Sequence, residues 1–335
     1  MTRVDSLAMQ APGTAGAGLP AYAELHCLTN FTFLRGASHP GELVEKALEL
    51  GYEALAITDE CSLAGVVRAH VVAKEHKDAL RLIVGSELNL TDESGEPFCT
   101  LVALATNRNG YGNLCELITL ARARAPKGRY QLAPADFTTP PPELAHLPGL
   151  PDCLLLLVPR RTAPLDHTLR CAHWLASFAG ERAWLALELW QNGGDDEYAA
   201  ALRAISNASG LPLIAAGGVL MHARSRKPLQ DTLSAIGLRK PLAECGEALE
   251  PNAERHMRAR VRIAALYPAD AIEETLRVAA RCRFDLDELR YEYPEELVPA
   301  GETPASHLRK LVMAGARERW PRGPTAAGIE QIEKE

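Results

Sequence analysis

From residue 22 onward, short apolar runs alternate with amphipathic stretches. The runs at residues 23–27, 54–58, 80–90, 98–105, 153–158, 184–190 and 211–216 are strand-sized and bounded by turn residues. Continuous apolar runs such as ALAIT are the pattern of strands covered on both faces. The stretches between them carry helical spacing. His39 and Pro40 open one helix, with Leu43, Ala47 and Leu50 on one face and Gly51 as its stop. Others are predicted from Ser62 to about Lys77, from Gly110 to about Arg124, and over 166–178 and 195–209. DESG, Asp92 to Gly95, makes a turn, and the Pro-rich residues 125–151 form a loop. So regular an alternation implies a parallel sheet with right-handed crossovers. Seven strand–helix pairs favour a closed or distorted barrel over an open sheet. After Arg224 the texture turns helical, over 227–237, 253–267 and 268–282. An extended acidic linker at 291–301 and a helix over 305–320 follow. The ending, GIEQIEKE, stops inside a helical pattern and is expected to be a cut. Residues 1–20, rich in Gly, Ala and Pro, form a disordered tail.

Composition narrows the class. Hydrophobic residues make up 47% and charged residues 24% of the 335, as in a soluble globular protein. A net charge of −7 excludes a chain-wide electrostatic grip on nucleic acid, leaving any DNA contact to local clusters of Lys and Arg. No apolar run reaches the roughly 20 residues of a membrane span. The N-terminus has no apolar core of signal-peptide length. Eight scattered cysteines without a C-x-x-C pair point to reduced, buried thiols in a cytoplasmic protein.

Three polar clusters sit where apolar runs end: ELHC (Glu24 to Cys27), TDEC (Thr58 to Cys61) and GSE (Gly85 to Glu87). Strand ends are where α/β proteins build their sites. With NRNGYGNLCELITLAR and HARSRKPLQDTLSAI, these motifs resemble the N-terminal polymerase-and-histidinol-phosphatase (PHP) domain of bacterial DNA polymerase III alpha subunits. Within that family the error-prone, ImuC-type subunits are the nearest resemblance, over residues 21–320. The resemblance implies a PHP-type distorted (β/α)7 barrel at 21–285. A mainly helical C-terminal segment follows, whose residues 286–335 are a linker and the start of a polymerase palm.

Active members of the family hold a metal cluster at the strand ends that hydrolyses phosphoesters, in some alpha subunits as a 3′–5′ exonuclease. Such chemistry needs several ligands, because closely spaced cations activate a water and hold the leaving oxygen. Mapped onto the family's ligand positions, His26, Asp59 and Glu87 stand, and Glu60 replaces a histidine. Leu28, Arg35, Thr100, Gly218 and Leu220 are lost ligands, and a further position near 153–160 has no match. The expectation is a vestigial site without metal, in which Arg35 pairs Glu60 or Glu87. A single weakly held cation on His26, Glu60 and Glu87, supporting a residual exonuclease or phosphoesterase, is the alternative.

The resemblance further implies that the complete polymerase uses Mg²⁺ held by carboxylates beyond residue 335, and that this chain carries no catalytic residue or cofactor of its own. Implied partners are DNA, an ImuB-type Y-family protein and, through it, the sliding clamp. Arg224, Arg226 and Lys227 are candidate contacts to DNA or a partner, against the alternative of a solvated loop. Arg255, Arg258, Arg260 and Arg262 are expected mostly on one side of a helix, and Trp184 and Trp190 in core or rim packing.

Overall fold

The computed structural model describes residues 18–76, 79–92, 94–290 and 298–334. Residues 1–17 of the expected tail and 291–297 of the expected acidic linker lie outside the described residues. The chain divides into two compact units between Leu289 and Arg290.

Seven strands build the first unit: β1 (Ala23–Glu24), β2 (Ala54–Ile57), β3 (Arg81–Thr91), β4 (Pro97–Ala105), β5 (Cys153–Val158), β6 (Ala183–Glu188) and β7 (Leu213–Ala216). They lie side by side in chain order. The Leu28 amide donates to the Val219 carbonyl and the Val219 amide to the His26 carbonyl, both at 2.9 Å. The chain just past β1 therefore pairs with the chain just past β7, and the sheet nearly closes into a barrel. Helices α1 (Pro40–Leu50), α2 (Val66–Ala73), α3 (Arg108–Ala123), α4 (Ala135–Thr138), α5 (Leu165–Ala179) and α6 (Asp195–Ser209) come next in the chain. They are followed by α7 (Lys227–Leu238), α8 (Arg260–Leu266) and α9 (Ala269–Arg281).

Alternation along the strands sorts the core into two layers. Leu55, Ile57, Leu101, Leu155 and Leu187 pack outward with Leu43, Leu117 and Leu175 of the helices. Small Ala23, Ala54, Ala56, Ala186 and Ala216 face inward, leaving room for Ile83, Leu104 and Trp184. Mixing small and large side chains is how a narrow barrel fills its interior. Val278 and Ala279 of α9 belong to this inner cluster.

The sheet is not wholly parallel. β4 runs antiparallel to both β3 and β5, while the other neighbours are parallel. The connection is the reason: the Asp92 amide already bonds the Glu96 carbonyl at 2.8 Å, and a link that tight makes a hairpin, not a crossover. The reversal brings Thr100, near the start of β4, opposite Val158 at the end of β5. The Pro-rich stretch is also more structured than a bare loop. It holds α4, whose Phe137 is buried against Trp174 and Phe178, and its Asp136 pairs with Arg124 at 2.7 Å.

A helix over 253–267 is not formed; only α8 is helical, and His256 bridges to Met221. Arg255 and Arg258 are buried there instead of lining an exposed face. Arg258 Nη2 donates to the Leu189 and Glu254 carbonyls at 2.8 Å. Arg255 lies 4.3 Å over the Trp190 ring and donates to the Gly218 carbonyl at 2.7 Å. A guanidinium satisfies several rim carbonyls at once, which strand ends leave open. The second unit contains α10 (Pro304–Arg319), capped by Thr303, and α11 (Ala326–Lys334).

Candidate functional site

The polar centre lies just past the ends of β1 and β2, where β3 and β6 also contribute. His26 is buried, and both its ring nitrogens face carboxylates: Nε2 to Glu87 at 2.9 Å and Nδ1 to Glu188 at 2.6 Å. A carboxylate accepts, so both nitrogens carry protons and the ring is an imidazolium. Burial works against that charge, but Glu188 and Glu87 outweigh it and raise the His26 pKa to about 9.

Arg35 reaches into the same centre from the loop after β1. Its Nη1 donates to Glu60 at 2.5 Å and to Glu87 at 2.6 Å, and Nη2 donates to Glu87 at 3.2 Å. Asn89 donates to Glu60 and Glu87 at 3.0 and 3.1 Å, and the Tyr130 hydroxyl donates to Glu60 at 2.9 Å. Thr100 donates its hydroxyl to Asn89 Oδ1 at 2.6 Å and so orients that side-chain amide. Burial alone would push the Glu87 carboxyl up, yet Arg35 and His26 hold it well below the usual carboxylate range. Three carboxylates, Glu60, Glu87 and Glu188, thus share two cations.

Asp59 is buried but turned away from this centre. It accepts from the Thr29 amide at 2.8 Å, the Thr29 hydroxyl at 2.8 Å and the Thr32 hydroxyl at 2.7 Å. These bonds tie down the loop that carries Arg35. The loop is tight, because a Cβ on Gly36 would lie 2.0 Å from the Thr29 carbonyl oxygen.

Leu28 and Leu220 are buried in an apolar cluster with Ala37 and Met221, against which Leu233 of α7 packs. Gly218 has a φ of +55°, and a Cβ there would stand 2.7 Å from the Glu188 carboxylate. A Cβ on neighbouring Gly217 would stand 2.5 Å from Glu24, which accepts from the Tyr22 hydroxyl at 2.8 Å and the His26 amide at 3.0 Å. Glu188 and Glu24 therefore fill the space that side chains at 217 and 218 would need. Glu24 opens the ELHC cluster of the sequence but had no role assigned to it, and Glu188 was not singled out, though it carries the available signal, a carboxylate ending an apolar barrel strand. Gly218→Ala combines a left-handed backbone with an overpacked contact. We expect it to lower stability by about 2 kcal/mol, read as a shift in the urea midpoint.

The cations at 224–227 are each in an ion pair: Arg224 with Glu254, Arg226 with Glu42 and Lys227 with Asp231. His222 meets the Ser38 hydroxyl at 2.8 Å. Among the described residues, His70, Asp285 and Asp287 are grouped closely enough to hold a cation, and the Lys74 ammonium already meets Asp287 at 2.9 Å. No helix among the described residues is long and apolar enough to cross a membrane.

Compared with known domain families, residues 24–173 match the one described as the PHP domain. This stretch is a PHP domain. The nearly closed, seven-stranded barrel, whose β6 and β7 lie beyond the matched stretch, is of the PHP type, with helices following it. The similarity to individual proteins runs beyond that domain. An error-prone DNA polymerase of Bordetella parapertussis is 55% identical over 317 residues, 95% of this chain and 30% of its own length. Those of Ralstonia pickettii and Dechloromonas aromatica are 51% and 52% identical, again over 95% of this chain and 30% and 29% of their own lengths. The chain thus spans about 30% of the length of the relatives it matches. A putative metal-dependent phosphoesterase from Bifidobacterium adolescentis superposes with a TM-score of 0.40 at 15% identity, over 60% of this chain and 88% of its own.

Proposed function

We propose that this chain is the N-terminal part of an error-prone DNA polymerase, and that its PHP domain serves that enzyme as a metal-free scaffold. The relatives' shared name and their 95% coverage of the chain support the first half. The observation that carries the second is Arg35, whose guanidinium lies between Glu60 and Glu87.

PHP domains are often metal-binding, but this donor set does not fit a multinuclear centre. A metal ligand must offer a lone pair, and both nitrogens of His26 are spent as donors to carboxylates. A guanidinium, charged at any ordinary pH, stands on two of the remaining acids. Leu28 and Leu220 offer no donor atoms, and Gly218 has no room to gain one. Buried charges must be paired, and here side chains pair them.

In this reading residues 21–285 are the barrel domain, and 286–335 are a linker and the start of the palm. The complete enzyme would extend a primer 3′ end with Mg²⁺ held by carboxylates outside this chain. DNA would be its substrate. An ImuB-type Y-family protein and, through it, the sliding clamp would be its partners in the cytoplasm. The test pairs elemental mass spectrometry of the chain purified without chelator with a 3′–5′ exonuclease assay on labelled single-stranded DNA, with added Mn²⁺ or Zn²⁺. We expect no stoichiometric metal and no cleavage. Stoichiometric metal, with cleavage lost on His26→Ala or Glu87→Ala, would make the domain a nuclease instead.

A further inference from the structure

Among its described residues, the second unit lacks a core of its own. Of these residues Ala316 alone is buried. Leu308, Leu311 and Val312 of α10 are 62, 58 and 39% exposed, and their i, i+3, i+4 spacing sets them in one stripe. On α11, Ile329 is 42% exposed. An open groove of about 420 Å³ runs along the pair, with Ala305, Leu308, Val312 and Ile332 in its lining. Arg309 and Glu333, also in that lining, pair with each other and tie α10 to α11. The charges of the groove therefore satisfy one another, and its free surface is mainly aliphatic, with Ser306 as the remaining polar side chain.

Helices of this length draw most of their stability from a packed apolar face. Covering each Leu or Val contributes about 1.5–3 kcal/mol. Two helices with an apolar groove between them are completed by a third, which seats its own apolar positions at the same spacing.

We propose that the α10–α11 groove receives an amphipathic helix of the same polypeptide, supplied by the polymerase residues outside the stretch seen here. This rests on the polymerase reading above. The matched stretch is only 30% of the relatives' length, so a protein of their kind carries ample chain to fill the groove. A tethered helix also meets it at millimolar effective concentration, which favours it over a diffusing partner. With no unpaired charge in the groove, recognition runs through aliphatic anchors.

Hydrogen–deuterium exchange of this 335-residue chain, compared with the complete polypeptide, tests the assignment. Amides of 304–319 should exchange at least tenfold faster in the short chain. Val312→Asp in the complete polypeptide should restore fast exchange there while β3 and β4 keep their protection. Equal exchange in both proteins overturns the proposal, and so does protection in the short chain that grows with concentration, which would make the occupant a second copy. Primer extension by the complete polypeptide reports the polymerase reading separately. Extension without protection of 304–319 removes only this inference, and protection without extension removes only the polymerase.

Discussion

Arg35→Ala will lower the unfolding free energy of the barrel by about 3 kcal/mol, seen as a fall in the urea midpoint. The substitution leaves Glu87, buried at 2% exposure, with His26 as its one remaining cation, and leaves Glu60 to Asn89 and Tyr130. Breaking a buried pair by removing one partner costs about 3–5 kcal/mol, because the other charge stays behind without compensation. The Arg35 side chain is 37% exposed, so solvent softens the loss and places it at the low end. Arg35→Lys should recover only part, since one ammonium cannot reproduce the fork that meets both acids. Adding Glu87→Gln to Arg35→Ala should recover stability, because the stranded charge is then gone. A midpoint shift worth less than about 0.5 kcal/mol, the range of ordinary surface changes, would mean that Arg35 is not the cation these acids depend on.

The second large effect lies on the alkaline side. The folded chain keeps a proton on His26 up to about pH 9, whereas the unfolded chain releases it near 6.5. Stability from this ring is complete below pH 6.5 and is lost as pH rises through 9, at about 1.4 kcal/mol per pH unit, or about 3 kcal/mol in all. Glu87 acts on the other limb. Its carboxyl is held low, so its contribution is present above about pH 4.5 and fades as the medium becomes more acidic. Between about pH 4.5 and 6.5 both contributions are whole. Buried thiols such as Cys61, pushed up to about 12 by burial, add an alkaline loss of their own because they ionise earlier once unfolded. Comparison with His26→Gln cancels that background. Urea midpoints between pH 6 and 9.5 should converge for the two proteins as pH rises. Parallel curves would show that the ring is neutral in the folded state.

Most of the barrel was legible because its strands are short and continuously apolar, with clear stops. Cys153–Val158 and Asp195–Ser209 fall where the pattern puts them. The direction of β4 was not legible from alternation, although the DESG turn held the clue, being too short for a crossover. The Arg-rich stretch at 255–262 misled for a different reason. Periodicity records charge, and buried arginines that bond rim carbonyls have the same spacing as solvated ones. In the polar centre, His26, Arg35, Glu60 and Glu87 stood out in the sequence, and the structure brings them together. Asp59 stood out equally but is turned to Thr29 and Thr32, a matter of side-chain direction that spacing does not encode. Glu188 went unnoticed, and Glu24 was noted without a role, because their importance appears only once Gly217 and Gly218 are seen to make room for them.

Closure of the barrel joins residues far apart in the chain. Leu28 bonds Val219, and His26 bonds Glu188 across 162 residues. A ribosome releases the N-terminus first, so the open side of β1 waits for its partner until nearly two-thirds of the 335 residues have been made. A waiting strand edge invites pairing with the wrong neighbour. Here that edge is brief, because β1 is a two-residue ladder and Cys27 adds only a single bridge to Val219. A short first strand thus offers a newborn chain little to aggregate through.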